Sequence, residues 1–348
     1  MNVKKHQEKP LRNDMRQGVI LSSLLLFAFA LSIIKINISV GLTILSFTAV
    51  ILFFIPYILM VNPTLIKVLR QTHFDQSRIH FFALGVLFLS LQLYALFSGQ
   101  FQYTFFIITL LWIAGSGILI TFYYKSEQTF LLGLLMVLWL WLPIEFGIFT
   151  TVTIPPIQSL LQPTTYIGLL MLIYTFAVIA RFDMGLTFRL KGDEWRIIIL
   201  QFLVLFFICM ILALPLGAIS LTKRMPEFLD MLIKLITIFF LTALPEEILF
   251  RGVFYRLILG KFQGRKYAVG KAMVLSSVLF GLAHANNKML PLMDIHLGQM
   301  TWQLPWALIL LSTVTGFFYC FVFIRTKKVT AAAVLHLLVN WVFVVFFN

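Results

Sequence analysis

Apolar runs long enough to cross a bilayer recur along the whole chain, near residues 18–34, 37–61, 81–97, 104–123, 129–150, 164–180, 196–220, 230–258, 269–287, 304–324 and 329–347. A spanning helix needs roughly 20 apolar residues, and no soluble core built from 348 residues could bury eleven such runs. Composition agrees, with 61% of residues hydrophobic, 11% charged and a mean hydropathy of +0.98. Backbone polar groups in lipid must be satisfied internally, and runs of this length suit helices better than barrel strands. The expected fold class is therefore all-α, a polytopic transmembrane helix bundle of about 11 helices.

A net charge of +14 would suggest nucleic acid as a partner in a soluble protein. Here the basic residues occupy short segments between the apolar runs, so nucleic-acid binding is excluded as a reading and the lipid bilayer takes its place. With the N-terminus inside, 21 of the 27 Lys and Arg fall on the cytoplasmic side, against Lys35, Lys223, Arg224, Lys234 and Lys288 on the other, with Arg251 left within the membrane. The positive-inside rule then keeps the basic tail (Lys4, Lys5, Lys9, Arg12, Arg16) in the cytoplasm. No cleavage pattern separates that tail from the first apolar run, which is expected to remain as a helix. Cys209 and Cys320 sit inside apolar runs without metal-type spacing and suit small core positions. No repeat period of 20 to 50 residues is visible. The charged connector from Arg181 to Arg196 suggests a division into residues 1–195, helices of unknown role, and residues 196–348, where every polar motif lies.

An ionisable group inside hydrocarbon costs several kcal/mol and marks a functional site by default. Six candidates are deep: Glu145, Glu246, Glu247, Arg251, His284 and His336. Glu145 follows Pro143 and belongs to no motif, so it reads as a polar lining residue. The other five fall on three late helices. In Leu244–Arg251, Glu247 and Arg251 share a face at i,i+4 and can neutralise each other, which leaves Glu246 without a partner on its own helix. Pro245 lacks an N–H and should kink or locally open that helix beside the carboxylates. Phe280 and His284 share a second face, where Gly281 and Ala283 permit close helix approach. His336 and Asn340 form a third i,i+4 pair. At 1.5 Å rise per residue, Glu246 is about 22 Å from Lys261, His284 about 20 Å from Lys271 and His336 about 12 Å from Lys328. The first two depths agree, and His336 comes out shallower.

The series EExxxR, FxxxH and HxxxN, in this order on separate apolar segments, resembles the signature set of the CPBP family, the CAAX-protease and bacteriocin-processing endopeptidases that include Abi proteins. The resemblance covers residues 196–348 and implies an intramembrane endopeptidase. It would make Glu246 and His284 the pair that activates a water, His336 and Asn340 the groups that stabilise the oxyanion, and Glu247 with Arg251 the supporting pair. Phe280 is core in either reading. The chemistry is coherent by itself, because a partly desolvated carboxylate is a suitable general base and a neighbouring imidazole can share and return its proton. Fixed donors in a low-dielectric cavity can stabilise developing negative charge. Ser276 and Ser277 offer no Ser-His-acid arrangement.

The expected substrate is a membrane-associated peptide or protein, of a prenylated or bacteriocin-like kind, and no cofactor is required. A zinc-dependent alternative uses Glu246, His284 and His336 as ligands, although no HExxH is present. A non-enzymatic alternative makes the same residues a proton relay in a transporter or scaffold. The expected setting is the plasma membrane of a prokaryote, with a multi-pass topology.

Overall fold

A computed structural model describes residues 16–27, 29–30, 39–72, 77–125, 129–149, 152–154, 162–217, 219, 226–287, 291–297 and 300–347. The basic tail up to Arg12, together with Lys35, Lys223, Arg224 and Lys288, lies outside these residues. Helices account for about 80% of the described chain: α1 Arg16–Phe27, α2 Val40–Met60, α3 Pro63–Thr72, α4 Ser77–Phe97, α5 Tyr103–Lys125, α6 Thr129–Glu145, α7 Pro163–Ile179, α8 Gly192–Ala213, α9 Phe228–Phe262, α10 Ala268–Leu282, α11 Trp306–Thr326 and α12 Val329–Phe346. Six of them, α2, α5, α8, α9, α11 and α12, are long and apolar enough to cross a membrane, and α1, α4, α6, α7 and α10 are shorter apolar helices. This is a multi-pass all-α bundle, as the apolar runs require. One element departs from the helical expectation: Met293–Leu297 (β1) and Met300–Leu304 (β2) form an antiparallel hairpin between α10 and α11.

The chain divides into two compact units, Met1–Phe188 and Arg189–Asn348. In the first, polar side chains close both on neighbouring helices and across longer stretches of the chain. The indole N–H of Trp112 on α5 donates to the Trp139 carbonyl on α6 at 3.0 Å, and that of Trp139 donates back to Trp112 at 2.9 Å. Gln92 on α4 donates to the Thr109 hydroxyl on α5 at 2.8 Å. Arg70 on α3 donates to the carbonyls of Ala177 and Phe182 at 2.7 and 3.0 Å, holding α3 to the end of α7. Glu145, expected to be deep, is the last residue of α6 and is exposed.

The second unit holds α8 to α12 and the hairpin. At the start of α8, Glu194 accepts from the Lys191 backbone N–H at 2.7 Å, one half of a capping box. Its carboxylate oxygens also lie within 2.6 Å of the Lys328 ammonium, which donates to the Arg189 carbonyl at 2.8 Å. Lys328 therefore ties the start of α12 to the start of α8. Lys327, at φ 59°, turns the chain so that α12 follows α11 after two residues. α9 runs unbroken through Pro245 by adopting wide turns with i→i+5 hydrogen bonds at Ile238–Ala243 and Ile248–Phe254, on either side of Leu244–Glu247. Pro245 has no N–H for the Leu241 carbonyl and its ring crowds that turn. The wide turns are a local opening of the i→i+4 ladder beside the carboxylates, and the helix continues through it.

Candidate active site

The five deep ionisable residues of the second unit sit on α9, at the end of α10 and on α12. Glu247 and Arg251 are both fully buried, with Arg251 Nε 3.0 Å from Glu247 Oε2 as the i,i+4 spacing requires. The angle of that approach falls short of a hydrogen bond, so it is an ion contact. Arg251 also donates through Nη2 to the Gly316 carbonyl on α11 at 2.7 Å. Its guanidinium lies 4.6 Å from the Phe280 ring centroid and 5.5 Å from that of Tyr319. A charge, a carbonyl and two aromatic faces thus replace the water that a buried guanidinium gives up.

Glu247 does more than balance Arg251. Its Oε1 pairs with His336 Nδ1 at 3.0 Å. A carboxylate beside a guanidinium can only accept, so Nδ1 carries the proton and the neutral ring keeps a lone pair on Nε2. That lone pair accepts from Asn340 Nδ2 at 3.1 Å. Tyr319 stacks on the imidazole with centroids 4.5 Å apart and planes 17° apart, and Phe280 meets it edge-on at 5.6 Å. His336 is 3% exposed and held on every side.

His284 lies two residues beyond the end of α10, in a turn where its backbone N–H donates to the Gly281 carbonyl. Its Nδ1 pairs with the Phe280 carbonyl at 2.9 Å, and a carbonyl can only accept. Nδ1 therefore carries a proton here too. Close packing makes this possible: a Cβ on Gly281 would lie 2.6 Å from the Ile309 carbonyl, and one on Gly316 would lie 3.0 Å from Phe280 and 3.2 Å from Arg251.

Glu246 is the exception. It is 24% exposed, its Oε2 has no hydrogen-bond partner, and His336 Nε2 is 3.9 Å from it, too far for a hydrogen bond. It lines a cavity of about 360 Å³ together with Thr242, His284, Tyr319, His336 and Asn340. The remaining wall is largely aliphatic and aromatic, and includes Ala213, Leu308, Leu311, Val339, Phe343 and Val344. Cys209 lines it as well; Cys320 is buried, and neither cysteine is in a disulfide. The hydroxyls of Ser276 and Ser277 are buried and turned to the Met273 carbonyl. Among the described residues no group of three His, Cys, Asp or Glu side chains is arranged to hold a metal ion.

Of the residues singled out from sequence, Glu246, Phe280, His284, His336 and Asn340 line one cavity, Glu247 and Arg251 join them through His336 and Phe280, and Glu145 lies in the other unit. Sequence reasoning missed Tyr319 and the Gly316 carbonyl on α11, a helix that carries no ionisable residue at that depth. It also missed the bond from Glu247 to His336, which no single-helix spacing contains.

No curated protein and no solved structure matches the chain. Residues 228–342, from the first residue of α9 to two beyond Asn340, match the family described as type II CAAX prenyl endopeptidase Rce1-like. The segment that builds this cluster is a domain of the CAAX-protease (CPBP) family, a family of membrane peptidases.

Proposed function

We propose that this protein hydrolyses a peptide bond in a membrane-associated substrate, prenylated or bacteriocin-like, with Glu246 as the base that activates water. The observation that carries the reading is the contrast between two adjacent carboxylates. Glu247 is held by Arg251 and His336, whereas Glu246 lines the cavity, is 24% exposed and has an oxygen with no hydrogen-bond partner. An unpaired acceptor held out of bulk solvent is costly, and a water bound in the cavity would satisfy it.

In this scheme Glu246 and His284 hold the water, and Glu246 takes its proton as the oxygen attacks the scissile carbonyl carbon. The carbonyl π pair moves onto oxygen. With both imidazoles neutral, each presents a bare Nε2, so the groups able to donate to that oxyanion are the second N–H of Asn340 and whichever imidazole has received a proton. His336 thus begins as an acceptor that orients the Asn340 amide and becomes a donor once protonated. The proton held by Glu246 or an imidazole then goes to the amide nitrogen as the C–N bond breaks, which returns the site to its starting charge. The N-terminus and the basic connectors are placed in the cytoplasm on the distribution of Lys and Arg.

The test is cleavage of membrane-anchored peptides, with and without a prenyl group, by the purified protein in liposomes. Wild type is compared with Glu246→Gln and repeated with a chelator. Cleavage that survives the chelator and vanishes in the variant supports the glutamate scheme. Loss in chelator would transfer Glu246, His284 and His336 to a zinc site, and unchanged cleavage by the variant would remove Glu246 from the chemistry.

A further inference from the structure

The hairpin between α10 and α11 was not expected from the charge pattern, and its register explains what it could do. Met293 pairs with Leu304, Asp294 with Gln303 and Ile295 with Trp302. Side chains alternate across a strand, so Met293, Ile295, Trp302 and Leu304 share one face, while Asp294 and Gln303 share the other. The polar face is self-contained, since Gln303 Nε2 donates to Asp294 Oδ1 at 3.3 Å. The apolar face is open: Met293 is 46% and Trp302 45% exposed. Asp294 is the sole Asp, Glu, Lys or Arg in residues 291–305.

The position of the hairpin says what would cover that face. β2 ends at Leu304 and α11 begins two residues later at Trp306, itself 37% exposed. α11 is one of the helices able to cross the membrane, and its other end carries Arg325, followed by Lys327 and Lys328. The hairpin therefore lies at the bilayer boundary opposite that basic end. Trp302 and Trp306 stand at the depth where amphipathic rings settle between headgroups and acyl chains. We infer that the hairpin is an interfacial anchor, with Met293, Ile295, Trp302 and Leu304 against the lipid acyl region and Asp294 and Gln303 in water. It joins two walls of the cavity, since His284 and Asn287 precede it and Leu308 follows it. The anchor fixes the ends of α10 and α11 at the lipid surface, and the inference is independent of the peptidase chemistry.

The experiment places a single fluorophore on each face through Met293→Cys and, separately, Asp294→Cys, with Ile295→Cys and Gln303→Cys as a second pair. The full-length protein is reconstituted in phosphatidylcholine vesicles, and the parent protein shows whether buried Cys209 and Cys320 react. Labels at 293 and 295 should be quenched by phosphatidylcholine carrying a nitroxide on its acyl chain and not by aqueous iodide. Labels at 294 and 303 should show the reverse. Iodide quenching at all four positions would place the hairpin in water, and protection of 293 and 295 from both quenchers would mean that protein covers the face; either result overturns the anchor.

Discussion

In the first unit several polar side chains inside the bundle close within their own turn or on the next helix, as Ser116 does on the Trp112 carbonyl and Gln92 on Thr109, while Arg70 reaches from α3 to α7. In the second unit the polar groups reach across three helices: Arg251 on α9 to Gly316 on α11, and Glu247 on α9 to His336 on α12. Buried oxygens without a hydrogen bond occur in both units, but those of the first belong to neutral side chains, Ser22, Tyr57, Gln92 and Thr164, whereas Glu246 Oε2 belongs to a carboxylate on the cavity wall. Local closure stabilises a helix pair. Long-range closure fixes reactive groups relative to one another and leaves one of them unsatisfied, the arrangement expected where function opposes stability.

The sharpest way to break this comparison is Glu246→Gln. Because Oε2 makes no hydrogen bond, the amide should leave folding nearly unchanged. Loss of a general base costs about 10²- to 10⁴-fold in rate, so cleavage in liposomes should fall by that order while thermal unfolding in detergent stays close to wild type. A variant that unfolds early, with cleavage per folded molecule preserved, would make Glu246 a packing residue like its counterparts in the first unit.

Arg251→Ala should be the largest change in stability. It leaves Glu247 buried without its cation, and breaking a buried pair costs about 3–5 kcal/mol. Replacing both partners with apolar residues of similar size, Glu247→Leu with Arg251→Met, is often nearly neutral for a buried pair, so the double variant should recover much of the unfolding temperature. It should not recover cleavage, because His336 Nδ1 would have lost the carboxylate that fixes its tautomer. Recovery of both properties would reduce the pair to neutralisation alone.

How far these features were legible differs from residue to residue. The pairing of Glu247 with Arg251, and the isolation of Glu246 that follows from it, could be read from one helix because i,i+4 geometry is local. The apolar runs revealed the bundle because lipid allows few alternatives. Tyr319 and Gly316 stayed hidden because the search followed charge, and their contribution is a ring face and a carbonyl. The hairpin was readable and passed over: Met293-Asp294-Ile295-His296-Leu297 alternates in period two before Gly298, a strand-and-turn pattern short enough to vanish between long apolar runs.

Close approach in the second unit gives a smaller effect. Ala at 281 would place its Cβ 2.6 Å from the Ile309 carbonyl, a backbone atom that cannot swing aside, while Ala at 316 would meet side-chain atoms at 3.0 and 3.2 Å. Overpacking costs about 1–3 kcal/mol, against a gain of up to about 1 kcal/mol in helix propensity. Gly281→Ala should therefore lower the unfolding temperature more than Gly316→Ala. Gly281→Ala should also reduce cleavage, since His284 hangs from the same turn.

The smallest effect belongs to the first unit. Trp139→Phe removes the N–H that donates to the Trp112 carbonyl while keeping an aromatic ring between α5 and α6. Interhelical hydrogen bonds in membranes contribute on average about 0.6 kcal/mol, and the Trp112 N–H retains its partner on the Trp139 backbone. Unfolding should shift slightly, and kcat/KM for the liposome substrate should match wild type. A change in kcat/KM beyond the loss of folded protein would show that local closure in the first unit is felt at the cavity, and the separation between a unit that only packs and a unit that reacts would have to be given up.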